Sequence, residues 1–282
     1  MPLTLTEDDY GSVANSQFFA EAVDNAYLPE AEGSAKFLAE LGLTAKLISV
    51  NNTQAYVGTN DDNIVVVFRG SEGPVTLDGL KDWLMTNALN LLIQPTGPLA
   101  EEFLAAGTGA RWHQGFVNAI TDIWPPLFAE VTAKKKEKER CFWICGHSLG
   151  GALSLLAGWL FYRNTMMPHQ IYTFGGPMVG NQAVADAINR EFAGKIFRYV
   201  NGPDPVPLLP MMSLAANEFV HNDKAVSVGP ASEAANLVGY MQSAAGGMVE
   251  GVLSGDIQGK VWGAVMARVN AHLMPDYRKG LG

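Results

Sequence analysis

Cysteine is almost missing from this chain of 282 residues, with Cys141 and Cys145 the only two. In the run Cys-Phe-Trp-Ile-Cys on a strand they would stand about 13 Å apart, too far to bridge. No disulfide framework therefore marks an oxidising compartment, although a chain this long does not need one and secretion stays open. Charge is sparse as well. Charged residues are 17% of the sequence, and 19 Lys+Arg against 28 Asp+Glu leave a formal net charge of −9, which argues against nucleic acid as a partner. Hydrophobic residues reach 48%, enough for a large core, so general disorder is excluded. No Pro/Gly/Ser tract or charge block is long enough to be a linker, and the reading is one domain over residues 1–282. The start, from Met1 to Asp9, has neither a basic n-region nor an apolar h-region. No signal peptide is expected in it, which suits a cytoplasmic protein or a secreted one after processing. No Cys/His cluster has zinc spacing and no Gly-rich loop matches a phosphate or dinucleotide cradle, so neither metal nor cofactor is expected.

One uncharged run, residues 141–162, is long enough for a membrane span and has basic flanks. Against a span stand His147, Ser148 and Ser154 with Gly146, Gly150, Gly151 and Gly158. They divide it into a short aromatic-apolar strand and a separate helix. The basic cluster before it, residues 134–140, contains two glutamates and reads as the solvated end of a preceding helix.

Phe19, Ala22, Val23 and Ala26 recur at helical spacing and predict a helix from about Asn15 that covers a sheet. Strands are expected at 47–50 and 54–57 around Asn51-Asn52, and the β-branched run 64–68 predicts a central, buried strand. A helix should follow His113-Gln114-Gly115, carrying Phe116, Ile120 and Ile123 until Pro125-Pro126 disturbs it. From 141 onward strand and helix signals alternate: strand 141–145, helix from Leu149, strand 171–174, helix 182–192, strand 196–200. Such βαβαβ order predicts a mostly parallel sheet with helices on both faces.

Gly146-His147-Ser148-Leu149-Gly150 is a Gly-x-Ser-x-Gly pentapeptide between a predicted strand and a predicted helix. There the serine sits on a strained turn, and small residues two positions either side admit neighbouring backbone. The helix start offers N–H groups and a positive dipole end to a developing oxyanion. A serine nucleophile needs a histidine base and an acid to orient it, in the order Ser, Asp/Glu, His for this kind of turn. That order excludes His113, His147 and His169 and leaves His221 and His272. Asp204, just after a predicted strand and stiffened by Pro203 and Pro205, is the best acid.

Six blocks in order make the chain resemble a class 3 lipase, the fungal-lipase-like group of α/β-hydrolases. They are Val65-Val66-Val67-Phe68-Arg69-Gly70-Ser71, Trp112-His113-Gln114-Gly115-Phe116, Gly146 to Gly151, Tyr172 to Pro177 with Val179-Gly180-Asn181, Val200 to Pro207 with Leu209-Pro210, and Asn270-Ala271-His272-Leu273 with Tyr277. The resemblance implies the α/β-hydrolase fold and a carboxylic-ester hydrolase working through an acyl-enzyme, a triacylglycerol lipase before all, with an esterase or phospholipase A1 on the same triad as alternatives. A catalytically silent lipid-binding relative is the alternative of another class. It implies Ser148 as nucleophile, Asp204 as acid, His272 rather than His221 as base, and the N–H groups of Leu149 and Ser71 as oxyanion donors. Two departures stand out: Asn222-Asp223-Lys224 follows His221 where the family has Pro-Gly, and Trp83 lacks the acid three residues on.

Leu80, Trp83, Leu84 and Ala88, within 72–95 and with Leu91, Leu92 and Ile93 beyond, are the candidate lid over an acyl site, with an ordinary packed helix as the plain alternative. Residues 230–270 form a Gly-rich insertion in which small residues recur every fourth position from Gly247 to Ala271, expected as a docked helix or helix pair, with a second mobile cap near the site as the alternative. The run 208–212, with Met211 and Met212, is a candidate acyl-pocket wall. The expected partner is an ester or lipid substrate, met at a lipid–water interface, with no nucleic acid and no transmembrane span; the oligomeric state is not legible.

Overall fold

The computed structural model describes residues 2–70, 91–208, 218–229 and 268–282. Its strands run β1 (Thr44–Val50), β2 (Thr53–Thr59), β3 (Asn63–Phe68), β4 (Leu92–Ile93), β5 (Trp112–His113) and β6 (Cys141–His147). They continue as β7 (Gln170–Phe174), β8 (Gly180–Asn181), β9 (Ile196–Asn201), β10 (Phe219–Val220) and β11 (Ala225–Val228). The helices are α1 (Val13–Asn25), α2 (Glu30–Leu41), α3 (Ala100–Leu104), α4 (Gln114–Glu137), α5 (Leu149–Arg163), α6 (Gln182–Glu191) and α7 (Met274–Gly280).

The main sheet has the order β1-β2-β3-β6-β7-β9-β11. The β1–β2 and β2–β3 pairs are antiparallel, and every pair from β3–β6 to β9–β11 is parallel. Strand residues alternate between two cores, as the period of two requires. Ile64, Val66 and Phe68 with Phe142, Ile144 and Ile171 pack under α3, α4, α5 and α6. Val65 and Val67 with Trp143, Cys145, Tyr172 and Phe174 pack under α1, α2 and α7. This is the mostly parallel, doubly covered sheet expected from the βαβαβ order.

The uncharged run resolves into β6 and α5. All residues of α5 from Gly150 to Phe161 are buried, so its lack of charge reflects packing on every side. Among the described residues no helix is long and apolar enough to cross a membrane. The basic cluster is the end of α4: Lys134 and Lys135 pair with Glu137 and Glu139, and Arg140 donates to the Lys134 and Asn60 carbonyls.

Several expectations need correction. Pro125 and Pro126, expected to disturb their helix, stand inside one continuous helix that runs to Glu137. The prolines lie on its exposed side and take the N–H partners from the Thr121 and Asp122 carbonyls, while Ile120, Ile123, Trp124, Leu127 and Val131 keep the buried face intact. The first helix starts at Val13 rather than Asn15 because the Ser12 hydroxyl caps the Asn15 N–H. Helix α2, strand β11 and a small sheet of order β10-β8-β5-β4 were not expected. In that sheet Leu92 and Ile93, part of the candidate lid's far end, pair antiparallel with His113 and Trp112. Leu80, Trp83, Leu84 and Ala88, the insertion at 230–267 and residues 209–212 lie outside the described residues.

Candidate active site

The carboxyl ends of the parallel strands deliver the site. β6 ends at His147, and Ser148 turns the chain into α5 with φ 57° and ψ −129°, a left-handed φ that a non-glycine residue holds only under constraint. Its N–H donates to the Phe174 carbonyl at the end of β7, 2.9 Å away. A Cβ on Gly146 would collide with the Gly150 carbonyl, and one on Gly150 with the Phe68 carbonyl. The pentapeptide thus needs its glycines for close approach of β3, β6 and α5. As the first residue of α5, Leu149 has an N–H with no acceptor inside the helix.

Asp204 follows β9, is 2% exposed, and is held by a hydrogen bond from the Val206 N–H to Oδ1 (2.9 Å). Its Oδ2 accepts from His272 Nδ1 at 2.8 Å and from the Tyr277 hydroxyl at 2.5 Å. Burial and the Asp204 charge push the Tyr277 phenol well above its usual range, so it stays a donor. With Nδ1 committed to the carboxylate, Nε2 is the basic nitrogen of His272. It is buried, and it hydrogen-bonds nothing among the described residues, Ser148 included. Gly175 closes the junction: at φ +59°, its Cβ would stand 2.7 Å from Asp204 Oδ2 and 2.9 Å from His272 Nδ1.

The His272 backbone is tied down from below. His147 Nε2 meets the His272 carbonyl at 2.6 Å, Nδ1 meets the Tyr27 hydroxyl at 2.8 Å, and the two histidine rings lie 4.4 Å apart. Because a carbonyl only accepts, Nε2 carries the proton and Nδ1 accepts from Tyr27. Burial, then the His272 charge, depress the His147 pKa well below the usual imidazole value. Asn201 Nδ2 donates to the Ala271 carbonyl at 2.9 Å. Neither His147 nor Asn201 was singled out for this bracing from sequence. His147 had been set aside because only histidines after the acid were weighed, although its place beside the serine was a usable signal.

The other candidates separate clearly. His221 Nε2 bonds the Pro207 carbonyl, away from Asp204. His113 accepts the Phe116 N–H and caps α4. Ser71, three residues beyond β3, lies outside the described residues. A cavity of about 600 Å³ lined by Gln17, Glu21, Glu40 and Arg278 shares no residue with this site.

The chain is similar to several known proteins. A secreted mono- and diacylglycerol lipase 1 of Fusarium solani is 37% identical over 108 residues, which cover 38% of this chain and 31% of that protein. The secreted mono- and diacylglycerol lipase MDL3 of Malassezia globosa is 33% identical over 149 residues, covering 52% and 46%. The chain thus spans less than half the length of these curated relatives. Among solved structures, a Rhizomucor miehei lipase propeptide complex superposes with a TM-score of 0.60 at 25% identity, over 78% of this chain and 68% of that one. The fold is the α/β-hydrolase fold. Residues 65–214, more than half of the chain and including the serine turn, β9 and Asp204, match the family described as Lipase (class 3), and to that family the chain belongs.

Proposed function

We propose that the protein is a serine carboxylic-ester hydrolase, a lipase acting on acylglycerols. The observation that carries this reading is the buried Asp204–His272 pair with a bare Nε2, on the strand ends where a constrained serine opens a helix. Ser148 Oγ attacks the ester carbonyl carbon while His272 Nε2 takes its proton, and Asp204 stabilises the imidazolium. The oxyanion of the tetrahedral intermediate is met by the Leu149 N–H and by Ser71. Collapse expels the alcohol, protonated by His272. Water, deprotonated by the same nitrogen, then attacks the acyl-enzyme, and the carboxylic acid and free Ser148 result. An unbonded Ser148 does not oppose this, because such hydrogen bonds tighten when substrate arrives.

The relatives named as secreted mono- and diacylglycerol lipases favour partial glycerides as substrate and secretion; a lipid–water interface as the place of action follows from the low water solubility of such glycerides. Esterase and phospholipase A1 activity on the same residues are distinguished by substrate alone. The test is hydrolysis of p-nitrophenyl esters from acetate to palmitate, of mono-, di- and triacylglycerols and of phosphatidylcholine, with Ser148→Ala as control. A fluorophosphonate should label the parent protein and not the variant. Absent labelling and turnover in a folded parent would leave a silent lipid binder as the better reading.

A further inference from the structure

We propose that Glu7, Cys141 and His169 form a binding site for a thiophilic divalent cation of the zinc class, at the end of the sheet opposite Ser148, where the central strands β6 and β7 begin. Cys141 opens β6, His169 directly precedes β7, and Glu7 comes from the exposed arm before α1. One donor atom of each lies within 4.8 Å of the other two. Thiolate, imidazole and carboxylate are zinc donors, and the two anionic ones match a double positive charge. Calcium and magnesium prefer all-oxygen sets. Bonds of 2.0–2.3 Å require tetrahedral donor spacings near ~3.5 Å, so closure takes about 1 Å of movement. That movement falls on an exposed glutamate and a half-buried cysteine.

The imidazole is held from several sides. Its Nε2 meets the Glu7 backbone carbonyl at 2.7 Å, and its ring packs against Trp143 at 4.7 Å and Tyr10 at 5.1 Å. A carbonyl partner places the proton on Nε2 and leaves Nδ1 with its lone pair, the arrangement by which outer partners orient metal-binding histidines. The Gln170 amide converges on the same carbonyl. Burial, then the Glu7 charge beside it, push the Cys141 thiol up to about 12, so one proton leaves Cys141 for each ion bound. The nearby Lys135 is engaged by Glu139 and the Arg140 carbonyl.

The sequence hides this cluster because its members stand at 7, 141 and 169, with none of the close spacing that marks a zinc motif. Its consequence is mechanical rather than catalytic. The ion would pin the N-terminal arm to the starts of β6 and β7, a strand length of about 20 Å from Ser148.

The test uses the full chain freed of metal by a chelator and titrated with Co²⁺ as a spectroscopic substitute for Zn²⁺. One equivalent should produce a thiolate-to-cobalt charge-transfer band, which Zn²⁺ abolishes by displacement. Zn²⁺ at a hundredfold excess over Kd should raise the unfolding midpoint by about 5 °C or more. Cys141→Ser should remove the band, Cys145→Ala should keep it, and Glu7→Gln should weaken affinity at least about tenfold. Ester hydrolysis at saturating Zn²⁺ should equal that of the metal-free protein. No saturable band in the folded parent, or a band that survives Cys141→Ser, would overturn the site; either result leaves the ester-hydrolase reading untouched.

Discussion

At the residue scale the candidate site depends on one oxygen, Asp204 Oδ2, which accepts from both His272 and Tyr277. A hydrogen bond to a charged group contributes about 1.5–3 kcal/mol. Tyr277→Phe should therefore lower unfolding free energy by about 2 kcal/mol. It should also reduce kcat about tenfold with KM unchanged, because a less firmly aimed His272 affects the transition state and not substrate binding. A second readout separates this from simple loss of packing. The Tyr277 phenol is raised well above 10 in the fold, so its contribution is complete below about pH 10 and lost as pH rises further, when only the unfolded chain releases the proton. Denaturant titrations at pH 9 and 11 should show a shallower alkaline loss in Tyr277→Phe than in the parent. An equal slope would mean that the hydroxyl is not the buried donor described.

At the element scale the junction of β6 and α5 is the critical joint, because three backbones meet where only glycines fit. A Cβ at position 146 would meet the Gly150 carbonyl and stand 2.7 Å from Ser154 Oγ, which is itself bonded to that carbonyl. Neither backbone can retreat without moving Ser148. Overpacking of this kind costs about 1–3 kcal/mol or more. Gly146→Ala should thus unfold at lower denaturant and, where folded, lose fluorophosphonate labelling. Retained labelling at the parent's rate would show that the turn tolerates the methyl group. The same scale shows the limit of a local rule: Pro125 and Pro126 are expected to disturb α4, yet it continues, since five buried apolar side chains hold its inner face while the prolines lie on its exposed side.

At the scale of the whole molecule, two neutral histidines, His147 buried and His221 half-buried, link stability to acid. His147 is depressed well below 6.5 by burial and then the His272 charge, and His221 is lowered to about 3 by burial and then the Arg198 charge. For depressed groups the stabilisation is present above the unfolded value near 6.5 and is lost as pH falls toward the folded value, because only the unfolded chain takes up the protons. Each contributes up to about 1.4 kcal/mol per pH unit, less for His221, whose ring is part-exposed. Urea midpoints should therefore fall between pH 6.5 and 4.5, and His221→Gln should flatten that fall. A variant with the parent's slope would remove His221 from the account.

The legible parts were those whose cause is local. The serine turn was readable because a strand, a helix start and glycines at fixed offsets are all neighbours in sequence, and β3, β6 and β7 because buried parallel strands leave continuous apolar runs. Asp204 was readable from a proline-stiffened loop at a strand end. Chain order alone admits both His221 and His272, and the choice of His272 rested on the family resemblance; the fold sends the His272 ring to Asp204 and the His221 ring to the Pro207 carbonyl. The two-residue strands of the small sheet carry no periodicity to read. What the sequence by itself determined is the serine turn and the layered architecture, because turn sterics and side-chain alternation act over a few residues. What only tertiary structure decided is which distant groups meet: Tyr277 on Asp204, His147 under His272, and Glu7 with Cys141 and His169. Such contacts depend on where whole elements dock, which no short-range pattern encodes.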